Sequence, residues 1–173
     1  MCGFAGLWFK DISSEINMNN LLNQVESCIK NRGPDSGDKW ITKDQNFGMI
    51  HRRLEIVGLG EDGRQPIQSS TGRFIMSFNG EIYNFRELKI ELDKLTKNYF
   101  KGSSDSKVLI ESFAYWGIEK TLKKIEGMFA ISIWDQKEKE LFLIRDRFGE
   151  KPLYYGEIYN NKKKCLVFGS DIG

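Results

Sequence analysis

The chain contains 173 residues, of which 40% are hydrophobic and 13% aromatic, and its formal net charge is +2. This length and composition predict one folded domain over residues 1–173, with enough apolar surface to bury a core. The 26 basic residues are balanced by 24 acidic ones, which excludes the strongly basic surface typical of proteins that bind nucleic acid or an anionic membrane.

The first half of the chain alternates strand patterns with helix patterns. The predicted strands lie at 2–9, 38–43, 47–51 and 73–78. A first helix is indicated by apolar residues at helical spacing from Met18 to Ile29, Cys28 included, and it ends at Gly33-Pro34. A second helix is predicted after Asn84, which forms a capping box with Glu87. Its inward positions are Leu88, Leu92 and Leu95.

The second half is richer in strands. We expect a helix from Ser104-Asp105 that stops at Gly117, and then a β-hairpin with arms at 128–135 and 141–144. Two further strands are predicted at 153–158 and 165–170. Few helices combined with many antiparallel strands indicate an α+β layered domain and argue against a doubly wound parallel sheet.

Cysteine usage indicates a reducing compartment. The three cysteines are Cys2, Cys28 and Cys165, and they form no C-x-x-C pair. An odd number argues against a disulfide framework, and the spacing argues against zinc. No basic, apolar leader opens the sequence and no apolar run reaches membrane length. We therefore expect a cytoplasmic protein.

Cys2 is the first candidate catalytic residue. Once Met1 is removed, the thiol of Cys2 and a free α-amine belong to the same residue. That amine has an unperturbed pKa of about 7.7–8.0, so part of it is unprotonated near neutrality and can act as a base. Thiols attack as thiolates, and this base needs no partner supplied by the fold. The alternative for Cys2 is a buried strand residue.

Two other patterns offer alternatives to this chemistry. Residues 58–63 match the dinucleotide fingerprint G-x-G-x-x-G, but Glu61 and Asp62 lie where pyrophosphate must approach and no helix follows. We interpret this run as an acidic loop. His51 is the only histidine, so a Cys-His hydrolase would have to pair Cys2 with His51. A structural role for His51 is preferred.

Asn79-Gly80 is a candidate oxyanion hole. It follows an apolar strand, and an Asn amide with a Gly backbone N–H can donate to a developing negative charge. The simpler interpretation is a turn. As a pair, Arg53 and Asp105 suit a free amino acid: guanidinium binds an α-carboxylate and carboxylate binds an α-ammonium. Sequence spacing does not place them together.

Nine short motifs occur in order along the chain. They begin at Met1, Arg32, His51, Gln65, Asn79, Ser104, Gly127, Arg145 and Lys151; they read MCG, RGPD, HRRL, QP, NGEIYN, SD, GMFA, RDR and KPLYY. With this set the chain resembles, over essentially its whole length, the glutaminase domain of glutamine-hydrolysing asparagine synthetases. That domain is a class II glutamine amidotransferase of the N-terminal-nucleophile hydrolase superfamily.

The resemblance implies a four-layer α/β/β/α sandwich with Cys2 at the start of a central strand. It implies that Cys2 is the nucleophile, with its own α-amine as base through a water. Asn79 and the Gly80 N–H would form the oxyanion hole. Arg53 would hold the α-carboxylate of glutamine, and Asp105 with Glu81 its α-ammonium.

The resemblance also implies partners and cofactors. The glutaminase reaction needs no cofactor. ATP and magnesium are expected only for a covalently linked synthetase domain, whose Ser-Gly-Gly-rich loop does not occur in these 173 residues. We therefore expect a longer parent protein. Three positions depart from the family pattern, namely Glu55, Gly58 and Lys107. They leave open a parent whose ammonia acceptor is not aspartate, such as a sugar acid. If Met1 is retained, a non-catalytic or unprocessed module is the other alternative.

Overall fold

A computed structural model describes residues 2–10, 16–53, 63–96, 102, 104–160 and 163–171. By its contacts the chain divides into two compact units. Unit 1 comprises Met1–Val57 and Pro152–Gly173, and unit 2 comprises Gly58–Lys151. Each unit contains one antiparallel sheet with helical structure packed on it, so the α+β prediction is confirmed.

Unit 1 is built on a five-stranded sheet in the order β2-β3-β1-β9-β8. Helix α1 packs on the face of this sheet that carries Ala5, Leu7 and Phe9. Successive side chains of a strand point to opposite faces, so the even-numbered residues of β1 lie on the other face. The elements are β1 Gly3–Phe9, α1 Met18–Ile29 with a 3₁₀ turn Lys30–Arg32, β2 Ser36–Ile41, β3 Phe47–Arg53, β8 Tyr154–Asn160 and β9 Lys163–Gly169.

Unit 2 is built on a four-stranded sheet in the order β4-β5-β6-β7. Its core joins Phe74, Met76 and Phe78 of β5 to apolar residues of α2 and α3. Helix α3 starts where the sequence predicts it, after Ser104, and the Ser104 Oγ caps the helix by accepting from the Lys107 N–H at 3.2 Å. The elements are β4 Ile67–Gln68, β5 Phe74–Ile82, α2 Phe85–Thr96, α3 Asp105–Trp116, α4 Ile118–Lys124, β6 Gly127–Asp135 and β7 Glu140–Arg145.

Three local predictions are wrong. Leu95 is 49% exposed and Cys28 is also exposed, so the apolar faces of α2 and α1 are narrower than their spacing indicates. The Asn84 side chain does precede α2, but it donates to the Lys124 carbonyl and accepts from the Glu126 N–H. It thus ties the start of α2 to the segment before β6. Helix α4 is too short and too charged to give a periodic signal.

Candidate active site

Cys2 lies immediately before β1, at the end of the sheet where β3 ends. Strand β1 pairs with β3 in a register that sets Gly3 opposite Arg52. Continued by one residue, this register places Cys2 opposite Arg53. The predicted nucleophile and the predicted carboxylate-binding residue are therefore cross-strand neighbours. Cys2 is partly buried.

Arg52 and Arg53 have different roles because they point to opposite faces of β3. Arg52 is on the α1 side, where its guanidinium donates to the Gly33 carbonyl at 2.7 Å and the Pro34 carbonyl at 2.9 Å. It also pairs with Glu26 of α1 at 3.0 Å. Arg52 is thus a structural residue that fixes the turn after α1. Alternation places Arg53 on the same face as Cys2, in agreement with a substrate-binding role.

His51 is also on the Cys2 face of the sheet. It pairs with Phe4 in the β1–β3 register and is 1% exposed. Residues on a diagonal between paired strands lie about 7–8 Å apart, so Cys2 and His51 are near neighbours. The deep burial of His51 within β3 agrees with the structural role preferred from the sequence.

The other two cysteines have different environments. Cys28 is exposed on α1, and Cys165 is buried in β9. Burial raises the pKa of the Cys165 thiol to about 11, so Cys165 remains a protonated, inert thiol at neutral pH. Neither residue adjoins the start of β1 in the strand register.

Asn79 presents a buried donor. It lies in β5, on the face opposite the one that α2 and α3 cover, and it is 4% exposed. Its Nδ2 is buried without a hydrogen-bond partner among the described residues. Leaving a buried donor unpaired costs about 1–3 kcal/mol. A donor kept in this state is suited to a ligand that supplies the missing acceptor.

Position 80, directly after Asn79, requires a glycine because strands β5 and β6 approach each other closely there. A Cβ built on Gly80 would lie 2.1 Å from the Met128 carbonyl oxygen of β6, a separation that no side chain tolerates. Along a strand, successive N–H groups point to opposite edges. Tyr83, of the same parity as Asn79, donates its N–H to Glu126 just before β6, so the Gly80 N–H points away from β6.

Asp105 and Glu81 lie at the same end of β5. Asp105 is the first residue of α3; its carboxylate accepts from the Ser106 N–H at 2.7 Å and from the Ile82 N–H at 3.3 Å. Burial raises the pKa of Asp105, against its backbone hydrogen bonds, and the charge of Glu81 raises this pKa further. Two neighbouring carboxylates of this kind favour a bound cation. Unit 2 therefore brings together four of the six predicted site residues.

The departures from the family pattern are only partly described. Lys107 contacts Glu111 at 3.0 Å and the Gln68 carbonyl at 3.4 Å, so it joins α3 to β4 within unit 2. Glu55 and Gly58 lie outside the described residues, as do Met1 and most of the acidic loop 58–63.

Across the described ranges, no group of three or more His, Cys, Asp or Glu side chains is arranged to hold a metal ion. Within those ranges, none of the helices combines the length and apolar character needed to cross a bilayer.

The fold resembles that of glutamine phosphoribosylpyrophosphate amidotransferase from B. subtilis, solved in complex with ADP and GMP, with a TM-score of 0.70. The match covers 98% of this chain and 42% of that one at 20% identity. This likeness confirms the predicted fold class.

The chain belongs to the glutamine amidotransferase domain family, whose profile matches residues 1–173. It is therefore an enzyme of the glutamine amidotransferase class. It is 38% identical to asparagine synthetase [glutamine-hydrolyzing] 2 and 36% identical to asparagine synthetase [glutamine-hydrolyzing] 1, both of Bacillus subtilis. Each match covers 99% of this chain but only 22% and 28% of those relatives. Amidase chry2 of Gibberella zeae is 33% identical over 82% of this chain and 22% of its own length.

Proposed function

We propose that this chain hydrolyses glutamine to glutamate and ammonia through a γ-glutamyl thioester on Cys2. The observation that carries the proposal is the buried, unpaired Nδ2 of Asn79 beside the edge N–H of Gly80. Such a pair of donors suits the oxyanion of acyl transfer. Membership of the amidotransferase family supports glutamine as the substrate.

Glutamine is held by its two charged α-groups. Arg53 binds the α-carboxylate through paired N–H donors. Asp105 and Glu81 bind the α-ammonium. Burial raises the pKa of Asp105 and the charge of Glu81 raises it further, and a bound ammonium would lower that pKa. These contacts leave the side-chain amide of glutamine as the reacting end.

The reaction proceeds in two stages. The Cys2 α-amine takes the thiol proton through a water, and the thiolate attacks the amide carbon. The C=O electrons move to an oxyanion that accepts from Asn79 and Gly80. When this adduct collapses, the C–N bond breaks and the α-ammonium supplies the proton with which ammonia leaves. Water then adds to the thioester, and glutamate is released as the thiol reforms. Met1 must be removed for this base to exist, and no metal or organic cofactor takes part.

For the whole protein, we propose that the ammonia passes to a linked synthetase domain that uses ATP and magnesium to make asparagine. The two Bacillus subtilis relatives support this, since they are glutamine-hydrolysing asparagine synthetases and are several times longer than this chain. A second candidate is a parent that uses the ammonia for another acceptor, since one relative is named an amidase and not an asparagine synthetase.

The test compares glutamate release from glutamine by the wild-type chain and by Cys2→Ala, with Cys28→Ala as the matched control. Cys28 is exposed and away from the start of β1, so its variant should keep wild-type turnover. Cys2→Ala should release no glutamate above background. Equal turnover by Cys2→Ala and wild type would overturn the proposal.

A further inference from the structure

One edge of β5 carries a row of N–H groups that the sheet does not pair. Strand β4 contains only Ile67 and Gln68, which pair with Met76 and Ile75 of β5. Beyond Met76, the N–H groups that point to this edge belong to alternate residues, namely Phe78, Gly80 and Ile82.

Gln65 supplies the acceptor that the short strand lacks. Its Oε1 accepts from the Phe78 N–H at 2.6 Å, and the residue is 9% exposed. Gln65 lies two residues before β4. Its side-chain amide takes the place of a main-chain carbonyl as the acceptor at this point of the edge.

On the other side of Gly80, a second side chain accepts a hydrogen bond from the same edge of β5. Asp105 accepts from the Ile82 N–H at 3.3 Å. The N–H groups on either side of Gly80 are thus bonded by side chains, while no described side chain accepts from Gly80. The two flanking contacts restrain the short stretch of β5 that carries Asn79 and Gly80.

We propose that Gln65 is a positioning residue for glutamine hydrolysis. By holding the Phe78 N–H, it fixes β5 one residue before Asn79 and so aims the Asn79 amide and the Gly80 N–H at the oxyanion. Gln65 does not touch the substrate. The inference rests on the proposed function, because it assigns Gln65 a role in the same oxyanion hole.

The expected effect is on turnover. Without this acceptor, the Phe78 N–H loses its bond to Gln65, and this part of the β5 edge relaxes. A displacement of about 1 Å in a catalytic group can lower the rate about 10²-fold. The α-groups of glutamine are bound by other residues, so the KM should change little.

Two variants of Gln65 separate the acceptor from the bulk of the side chain. Gln65→Met keeps the length but removes the acceptor, and Gln65→Glu keeps an oxygen at the same place. Gln68→Met is the matched control. Gln68 is an exposed residue of β4 whose amide contacts only the nearby Gly72 carbonyl among the described residues.

Steady-state glutaminase kinetics should be measured with the full 173-residue chain at a temperature where circular dichroism shows each variant folded. Gln65→Met should lower kcat about 10- to 100-fold, with KM for glutamine within about threefold of wild type. Gln65→Glu and Gln68→Met should keep kcat within about threefold. If Gln65→Met does not fold, Gln65→Asn serves instead, since its shorter amide withdraws the oxygen from Phe78.

The outcomes separate this inference from the proposed function. Wild-type kcat in Gln65→Met, or in Gln65→Asn where that variant replaces it, would overturn the role of Gln65 alone. A loss confined to KM, or an equal loss in Gln65→Glu, would also overturn it. A wild-type chain that releases no glutamate would overturn the proposed function, and the role of Gln65 with it.

Discussion

Replacing Asn79 with alanine should remove activity without removing stability. Its Nδ2 has no partner among the described residues, so the folded protein loses no hydrogen bond from that atom when the amide is deleted. Loss of one oxyanion donor lowers kcat about 10²–10³-fold, or about 2.7–4 kcal/mol of transition-state stabilisation. The small packing loss is offset by removal of an unpaired buried amide, which costs about 1–3 kcal/mol. The free energy of unfolding should therefore stay within about 1 kcal/mol of wild type.

Asn84→Ala is the matched control for this prediction. The Asn84 amide donates to the Lys124 carbonyl at 2.8 Å and accepts from the Glu126 N–H at 3.0 Å. At a net value of about 0.5–1.5 kcal/mol for each bond, this variant should lose about 1–3 kcal/mol of stability. Its folded fraction should keep wild-type kcat.

Both variants should be assayed for glutamate release, which gives kcat, and for urea unfolding, which gives the free energy of unfolding. The reasoning predicts opposite patterns: Asn79→Ala loses turnover and Asn84→Ala loses stability. It would be refuted if Asn79→Ala kept kcat within about threefold of wild type. A loss of stability in Asn79→Ala equal to that of Asn84→Ala would refute the unpaired state of the amide.

Three further predictions follow from the described contacts. Arg53→Gln should raise KM for glutamine about 10- to 100-fold, since a hydrogen bond to a charged group contributes about 1.5–3 kcal/mol. Arg52→Gln should instead lower the melting temperature and leave KM unchanged. The opposite pair of results would contradict the assignment of Arg53 and Arg52 to opposite faces of β3. Iodoacetamide should modify Cys28 of the native chain and leave Cys165 unmodified, because burial raises the Cys165 pKa to about 11. Peptide mass spectrometry identifies the modified residues, and rapid labelling of Cys165 would contradict its burial. Burial tends to raise the pKa of Asp146, but four backbone N–H donors outweigh burial and lower it. The stability that the Asp146 carboxylate contributes is therefore present above its unfolded pKa and is lost as the pH falls through its lower folded pKa. In urea unfolding, acidification should then lower the free energy of unfolding less in Asp146→Asn than in wild type. Equal decreases in the two proteins would contradict this prediction.

Local patterns were sufficient for much of the fold. The apolar run after Cys2, the helical spacing from Met18 and the alternation after Met128 each predict an element that the structure contains. The Ser104 cap is also local, since donor and acceptor are three residues apart. Such features depend on neighbouring residues, which the sequence displays directly.

Features that depend on distant residues were not predictable in the same way. The need for glycine at position 80 comes from the Met128 carbonyl on a neighbouring strand. Leu95 has helical spacing, yet no layer covers it at 49% exposure. The sequence places Gln65-Pro66 in a family motif, but the contact from Gln65 to Phe78 joins residues 13 positions apart, which local patterns do not display.

The residue roles came from chemistry and resemblance together, and the structure adds the environment of each group. Asn79 and Gly80 are a plausible turn by sequence, but they lie within β5. Asp105 was predicted as an ammonium ligand; its second contact, to the Ile82 N–H, depends on how α3 meets β5. The roles of Cys2 and its α-amine stay predictions.

The central claim is that sulfur and base belong to one N-terminal residue, and active-site labelling tests it most directly. The active chain should be fully inactivated with a glutamine-shaped diazoketone and then mapped by peptide mass spectrometry. The account predicts one label, on the thiol of Cys2, in a peptide that begins at Cys2 with a free α-amine. Complete inactivation with the label on another residue, or on a peptide that still begins with Met1, would contradict it.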